Sequence, residues 1–313
     1  MAFFRKRRPL KPWERLFFVL SLLPTLWIGG QLAYGKWVLH RWEAWKADGS
    51  EKRWYEANKS LHLPLPSADA ILLLPGFADG PSVWQKMAPV FAEEGFEVLS
   101  TLLPGDLEGK RRTIDRSLAK LRADDPDRRV WVVGHSLGGT LALDTALRPG
   151  TRISGVAMIA PFFDPVASRT LGLTPKQWYR FSRRAFPAVL MVDQRTPGHP
   201  HLDGKDGPGA IRTMPFLSTW DYDGLFDAAD AVRDRAADWH GPLRMDVASE
   251  DEIVDTDAAR RFFRAATNAL PARLEEHPGG HVLPLSPSAE TLARGIARFF
   301  RTPPPAGNHP VLQ

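Results

Sequence analysis

Short apolar runs that alternate with amphipathic stretches divide the middle of the chain. AILLL (70–74) and VWVV (130–133) are continuous, as strands covered on both faces are. FEVLSTLL (96–103) and ISGVAMIA (153–160) are the other predicted strands. Between them, apolar residues recur at helical spacing within residues 83–94, 114–121 and 137–147. Strands that alternate with helices in this way predict a parallel sheet with helices on both faces.

Residues 161–241 interrupt this alternation. Aromatic helical pieces such as PKQWYRFSRRAF precede a loop rich in Gly and Pro, PGHPHLDGKDGPG, and we interpret the segment as a cap inserted over the sheet. Regular structure then resumes with a strand in PLRMDVASEDEIVD, a helix in TDAARRFFRAA, a strand in ARLEEHPGGHV and a helix in SAETLARGIARFF. The predicted fold class is therefore α/β, with a doubly wound, mostly parallel sheet and a helical cap.

A different pattern occupies the N-terminus. Residues 16–35 carry no charge and follow six basic residues, which are Arg5, Lys6, Arg7, Arg8, Lys11 and Arg15. Because twenty helical residues span about 30 Å, the thickness of a hydrocarbon core, we expect a transmembrane signal anchor over residues 16–39. A cleaved signal peptide and a buried core helix are the alternatives. The apolar run is long for a signal peptide, and no clean cleavage site follows it.

The basic residues ahead of this run predict its orientation. Since Lys and Arg concentrate on the cytoplasmic side of a membrane helix, we expect residues 1–15 to stay in the cytoplasm and the folded domain to lie on the periplasmic or extracytoplasmic side. The predicted order then continues with a membrane-proximal helix and linker (40–67), the folded domain (68–302) with its cap (161–241), and a disordered tail (303–313).

The distribution of charge argues against a nucleic-acid partner. The net charge is +5, but residues 1–60 carry 12 Lys and Arg against 5 Asp and Glu, and the remaining residues carry 29 against 31. A nucleic-acid surface needs a basic stripe on the folded domain, and here the domain is slightly acidic. The chain has no cysteine, which excludes disulfides and a cysteine nucleophile.

The stretch GHSLGG (134–139) places a serine between the third predicted strand and its helix. Small residues two positions before and two after Ser136 allow the very sharp turn of a nucleophile elbow, which exposes one side chain at the end of a sheet. A simple tight turn is the alternative. A serine hydroxyl needs a base to remove its proton, and the base needs an acid to orient it.

Four stretches in register between about residues 68 and 300 give the chain a family resemblance. LLLPGFADGPSVW resembles the opening segment, GHSLGG the elbow, ASEDEIVD the acid turn and PGGHVL the histidine loop of the α/β-hydrolase fold. Within that fold the chain is most similar to the monoglyceride lipase, carboxylesterase and lysophospholipase-like group. The resemblance implies a serine hydrolase that uses no cofactor and no metal.

Carried over residue by residue, the resemblance implies five site residues. Ser136 matches the nucleophile, Asp251 the acid and His281 the base, in the chain order Ser, Asp, His of doubly wound hydrolases. The oxyanion donors would be the backbone N–H groups of Phe77 and Leu137.

Neighbouring residues compete for two of these roles. Glu250, Asp246 and Asp255 are rivals for the acid; Asp246 falls within the predicted strand, and Asp255 is predicted to cap the next helix. His277 is the rival base, but it ends a strand, whereas His281 follows two glycines that let a loop reach the serine.

The sequence also departs from the family at two turns. The family usually has His-Gly before the oxyanion turn, where this chain has Pro75-Gly76, and its later Pro-Gly-His-Gly turn is PGDLEG here, with Asp106 at the histidine position. We expect these changes to alter the shape of the site and to leave the triad intact. His135 is expected to pack beside the elbow. A metal at His199, His201, Asp203 and Asp206 is less favoured than a solvated loop.

The resulting prediction is a membrane-anchored serine hydrolase that cleaves carboxylic esters of lipids or other apolar acyl groups. The aromatic residues of the cap suit an apolar acyl chain, although they could equally pack the cap itself; they are Phe162, Phe163, Trp178, Tyr179, Phe181, Phe186, Phe216 and Trp220. An acyltransferase that uses the same triad and a non-catalytic membrane-anchored binding module are the alternatives. The sequence does not predict an oligomeric state.

Overall fold

The computed structural model describes residues 11–66, 68–166, 173–195 and 213–301, without the side chains of residues 15, 16, 18 and 19. Its α-helices are α1 (Pro12–Ala47), α2 (Ser50–Ala57), α3 (Ala88–Glu93), α4 (Leu107–Leu121), α5 (Leu137–Leu147), α6 (Pro175–Ala185), α7 (Thr219–Val232), α8 (Thr256–Ala265) and α9 (Ala289–Arg301). Its strands are β1 (Leu61–Leu63), β2 (Ala70–Leu74), β3 (Glu97–Ser100), β4 (Val130–His135), β5 (Ile153–Ile159), β6 (Met191–Asp193), β7 (Phe216–Ser218), β8 (Leu243–Ala248) and β9 (Ala272–His277).

Seven strands form one twisted layer in the order β1-β3-β2-β4-β5-β8-β9. All neighbours run parallel except β1, which pairs antiparallel with β3. The carboxyl ends of the parallel strands therefore meet at one edge, which is where open α/β sheets place their ligand sites. The mostly parallel α/β sheet predicted from the apolar runs is confirmed.

Alternate residues of the central strands supply two separate cores. On β2, Leu72 and Leu74 pack with residues of α4, α5, α7 and α8, whereas Ile71 and Leu73 pack on the other face with α3 and α9. Because side chains alternate across a strand, a run without polar residues is what a sheet covered on both faces requires. The doubly wound arrangement follows from that burial.

Two local elements differ from the sequence-based expectation. The helix expected over residues 83–94 is a 3-10 turn, Pro81–Trp84, followed by the short α3. Pro89 explains the break, because it has no N–H to donate to the carbonyl of residue 85 and its ring would clash with that carbonyl in a continuous helix. The segment expected to be a membrane-proximal helix and linker, 40–67, contains α2 and also β1, which extends the sheet.

The structure does not support the prediction of a transmembrane signal anchor over residues 16–39. Those residues lie within α1, but no helix in the described part of the chain is both long and apolar enough to cross a membrane. The helix continues without interruption into a half that packs on the cap. There the Gln31 side chain accepts a hydrogen bond from the N–H of Ala188 at 3.0 Å, and Arg41 donates to Asp193 at 2.5 Å.

A small aromatic cluster joins α1, α2 and the cap. Val38, Trp45, Trp54 and Phe216 are buried against one another, and the rings of Trp45 and Phe216 lie 5.6 Å apart. The cap itself is formed by α6, the antiparallel pair β6 and β7, and α7. The N-terminal helices therefore pack on the cap as part of one folded unit.

Candidate active site

The elbow predicted at Ser136 is present at the carboxyl end of β4. Ser136 has φ 53° and ψ −120°, a backbone conformation that residues with a Cβ rarely adopt. A Cβ at Gly134 would collide with the backbone of Gly138, and one at Gly138 would lie 2.6 Å from the carbonyl carbon of Leu74. The two glycines are thus required by close backbone approach, and the turn holds Ser136 at the sheet edge.

The loop after β2 approaches the elbow closely. A Cβ at Gly76 would lie 3.3 Å from Cβ of Ser136, which brings the backbone of Phe77 to the side of the serine. Leu137 begins α5, so its N–H has no acceptor within the helix. One predicted oxyanion donor, the N–H of Leu137, therefore follows Ser136 at the start of α5, and the other, the N–H of Phe77, lies on the neighbouring loop after β2.

The predicted acid and base form a buried pair. Oδ2 of Asp251 lies 2.8 Å from Nδ1 of His281, and the Asp251 side chain is fully buried. Its other oxygen, Oδ1, accepts the N–H groups of Ile253 and Val254, each at 2.9 Å. This arrangement orients the carboxylate toward Nδ1 and leaves Nε2 of the imidazole for the proton transfer that a serine nucleophile needs.

His135 connects this pair to the elbow. Its Nε2 lies 3.1 Å from the carbonyl oxygen of His281, and the two rings are 4.9 Å apart. Among the described residues, no hydrogen bond joins the Ser136 hydroxyl to the His281 ring. Such contacts are often long in an enzyme without substrate and tighten in the complex. The structure therefore brings Ser136, His281 and Asp251 to one sheet edge, with His135 packed beside the elbow.

The rival residues have other roles. Asp255 caps α8 by accepting the N–H groups of Asp257 and Ala258, and Glu250 is exposed. His277 is held by Asp246, with Nε2 2.7 Å from Oδ1. That pair belongs to strands β8 and β9, and its hydrogen bonds run to Arg244 rather than to the elbow.

Asp246, Glu275 and His277 are also close enough together to form a candidate metal site. However, Arg244 already donates to both carboxylates, at 2.8 Å to Asp246 and 2.5 Å to Glu275. A guanidinium between two carboxylates supplies the positive charge that a metal ion would supply. The other metal candidates of the sequence, residues 199–206, lie outside the described residues.

Asp79 supports the oxyanion loop, and sequence reasoning missed it. Its Oδ1 accepts from the Thr213 hydroxyl at 3.2 Å, and its Oδ2 lies 3.8 Å from Nδ1 of His135. The N–H of Met214 donates to the carbonyl of Ala78 at 2.8 Å. The cap therefore holds the turn in which the family usually has a histidine. The only sequence signal was that departure from the family pattern.

Asp106, which stands where the second turn departs from the family pattern, caps a helix. Its carboxylate accepts the N–H of Gly109 at 2.8 Å at the start of α4. The same helix carries Lys110, which is buried and donates to the carbonyl of Gly105. Burial lowers the pKa of the Lys110 ammonium, and the nearby Asp221 carboxylate opposes that shift.

A cavity of about 360 Å³ opens beside the oxyanion loop, and we call it the elbow pocket. Its size is at the lower end of the range for small-molecule sites. Most of the lining is apolar, and its charged residues are Asp79, Lys110 and Asp221. The lining residues are Trp54, Tyr55, Gly76, Phe77, Ala78, Asp79, Leu102, Leu103, Pro104, Gly105, Lys110, Leu137, Met214, Phe216, Leu217 and Asp221.

Of the eight cap aromatics expected near an acyl chain, Phe216 alone lines the elbow pocket. Phe162 and Phe163 are buried in the core beneath the elbow, and the Phe163 ring stacks on Phe262 at 4.3 Å. Trp178 and Phe181 are exposed on α6. Phe162 and Phe163 therefore serve packing, and Trp178 and Phe181 lie at the surface.

Comparisons with known proteins agree with this geometry. The profile of the alpha/beta hydrolase family matches residues 71–294. Similar solved structures include a metagenome-derived lipolytic enzyme (16% identity, TM-score 0.62, 78% of this chain and 98% of that chain) and the monoacylglycerol lipase of Paleococcus ferrophilus (19% identity, TM-score 0.62, 77% and 97%). A soluble variant of monoglyceride lipase from Saccharomyces cerevisiae is also similar (15% identity, TM-score 0.61, 77% and 90%). No curated protein sequence matches the chain.

Proposed function

Since the chain belongs to the alpha/beta hydrolase family, we propose that it hydrolyses carboxylic esters with Ser136 as the nucleophile. The observation that carries this proposal is a strained elbow serine beside the buried Asp251–His281 pair. The similar structures that are named lipases agree with an ester substrate. Because their sequence identity is low, the likeness itself shows only the fold.

The proposed reaction uses an acyl-enzyme intermediate. Nε2 of His281 takes the hydroxyl proton as Oγ of Ser136 attacks the acyl carbonyl. The N–H groups of Phe77 and Leu137 stabilise the oxyanion of the tetrahedral intermediate. His281 then gives the proton to the leaving alcohol as the ester bond breaks and the acyl group stays on Oγ. In the second half, His281 takes a proton from water, which attacks the acyl-enzyme, and returns it to Oγ of Ser136 as the acid leaves. Asp251 fixes the tautomer of the imidazole and stabilises its cation.

The elbow pocket supports an apolar acyl group as the part of the substrate bound beside the nucleophile. It begins at Phe77 and Leu137, the residues of the proposed oxyanion donors, and its walls are largely hydrocarbon and aromatic. Transfer of apolar surface from water into such a lining is favourable. A lipid or another ester with an apolar acyl chain fits this lining.

A fluorophosphonate probe tests the proposal. The wild-type protein should be labelled at one serine, and S136A should lose labelling and turnover of a simple ester, since it lacks the nucleophile. S249A, an exposed serine near the acid turn, should keep both. Labelling that persists in S136A would remove Ser136 from the mechanism. Product analysis with an added alcohol separates hydrolysis from acyl transfer.

We also propose that α1 and α6 contact a lipid surface. Phe17, Leu20 and Leu26 of α1 are exposed. Helix α6 has no buried residue, exposes Trp178 and Phe181, and carries basic residues on the same turns. Helices that combine apolar and basic side chains in this way bind at the membrane interface.

Vesicle co-sedimentation of the full chain tests that contact. W178S/F181S should bind phosphatidylcholine vesicles less than the wild type, whereas L274S, on the edge strand β9, should bind equally. Equal binding of all three proteins would show that α6 does not take part. The extracytoplasmic location stays a prediction, which protease digestion of intact spheroplasts tests.

A further inference from the structure

Helix α2 lies outside the segment that matches the family, yet it forms a wall of the elbow pocket. The match begins at residue 71, whereas Trp54 and Tyr55 line the cavity together with Phe77 and Leu137. The Trp54 side chain is buried and meets the Tyr55 ring edge-on at 5.1 Å. The pocket beside the nucleophile is therefore incomplete without the N-terminal helices.

Asn58 fixes α2 to the oxyanion loop. It is fully buried, its Oδ1 accepts the Ser82 hydroxyl at 2.6 Å, and its Nδ2 donates to the Trp54 carbonyl at 3.0 Å. A Cβ at Gly80 would lie 2.5 Å from Cγ of Asn58, so the amide fits directly against the glycine. These contacts set the position of Trp54 relative to the loop that carries Phe77.

The Trp54 side chain is also held by the aromatic cluster of α1 and the cap. It packs in the cluster of Val38, Trp45 and Phe216, and Phe216 lines the same pocket. The indole is thus held between α1, the cap and the cavity. Tightly packed walls of this kind shift little when a ligand enters, so the cavity that Leu137 lines has a fixed aromatic surface as one of its walls.

We propose that Trp54 is a specificity-determining residue that limits the length of the acyl chain the enzyme accepts. The inference rests on the proposed ester hydrolysis at Ser136. Its substrate class is the ester of an acyl chain short enough to end at the Trp54 indole. An aromatic wall discriminates by steric exclusion, and one excess methylene at such a wall changes kcat/KM by about 10- to 200-fold.

The test compares kcat/KM for p-nitrophenyl esters of increasing acyl length in the full chain. W54A enlarges the pocket and should raise the ratio of long-chain to short-chain kcat/KM by about 10-fold or more. W54F should give a smaller shift in the same direction, which preserves the test if W54A folds poorly. W45A is the matched control, because Trp45 belongs to the same cluster and does not line the pocket.

Each outcome separates this inference from the proposed function. An unchanged ratio in W54A and W54F, with fluorophosphonate labelling of Ser136 retained, would overturn the role of Trp54 and leave the proposed function standing. An equal shift in W45A would also overturn it, since the change would then reflect general loosening. A wild-type protein that is not labelled and cleaves none of the esters would overturn the proposed function, and this inference with it.

Discussion

Replacing Asp251 by asparagine tests the separate roles of the two carboxylate oxygens. Oδ1 accepts two backbone N–H groups, of Ile253 and Val254, and Oδ2 accepts Nδ1–H of His281. An amide has one acceptor atom. If its oxygen stays with the two N–H groups, its NH₂ faces Nδ1, and the imidazole must carry its proton on Nε2. That tautomer cannot take the serine proton.

The opposite amide orientation restores the correct tautomer but costs stability. It turns the NH₂ toward two N–H donors and so loses two hydrogen bonds, each worth about 1 to 1.5 kcal/mol net. The inactive orientation is therefore favoured by about 2 to 3 kcal/mol, and the negative charge beside the imidazolium is lost in either orientation. We expect D251N to lower kcat about 10⁴-fold, which corresponds to about 5.5 kcal/mol.

The assay is the steady-state hydrolysis of a short ester, measured together with thermal unfolding. E250Q is the control, because Glu250 is the adjacent acidic residue and is exposed; its kcat should stay within about twofold of the wild type. A D251N enzyme that keeps more than a tenth of the wild-type kcat would refute the reasoning. A large loss of kcat in E250Q instead would identify Glu250, and not Asp251, as the acid.

Three further predictions concern other residues of the fold. H277Q should keep kcat within about twofold, because His277 is held by Asp246 and not by the elbow; a kcat fall like that of D251N would place it in the mechanism. G138A should lose more than about 4 kcal/mol of stability or fail to fold, because its Cβ would lie 2.6 Å from the carbonyl carbon of Leu74. G280A, whose Cβ would have its nearest neighbour at 4.0 Å, is the control in thermal unfolding, and equal melting temperatures would contradict the role of the elbow. Burial and the carboxylates of Asp223 and Asp230 raise the pKa of Asp227, so the folded state binds its proton more tightly than the unfolded state does and the charged form destabilises the fold. D227N should therefore raise the melting temperature slightly at pH 7 and have no effect at a pH low enough to protonate Asp227, and a lower melting temperature at pH 7 would contradict this sign.

The sheet and the elbow could be predicted because their causes are local. Continuous apolar runs reflect strands buried on both faces, and Gly134 and Gly138 are required by backbone contacts within a few residues of Ser136. The placement of Asp251 at a strand end and of His281 after two glycines follows the same local logic. These features can therefore be recognised from the sequence.

The packing of the N-terminal helices on the cap could not be predicted, for the opposite reason. An apolar helix of twenty residues has the same composition whether lipid or protein surrounds it, and the packing of Trp45 on Phe216 joins residues far apart in the chain. Asp79 escaped notice because its partners, Thr213 and His135, are equally distant in sequence. Long-range contacts between single residues leave no periodicity that a sequence pattern could show.

The fit between Asn58 and Gly80 has a consequence for how this chain can evolve. Gly80 can gain a side chain only if the residue at position 58 becomes smaller, because an added Cβ would overlap with the Asn58 side chain. Mutations at these positions should therefore be inherited as pairs. A hydrolase that acquired these N-terminal helices by recombination would need a glycine at the matching loop position before α2 could pack against that loop.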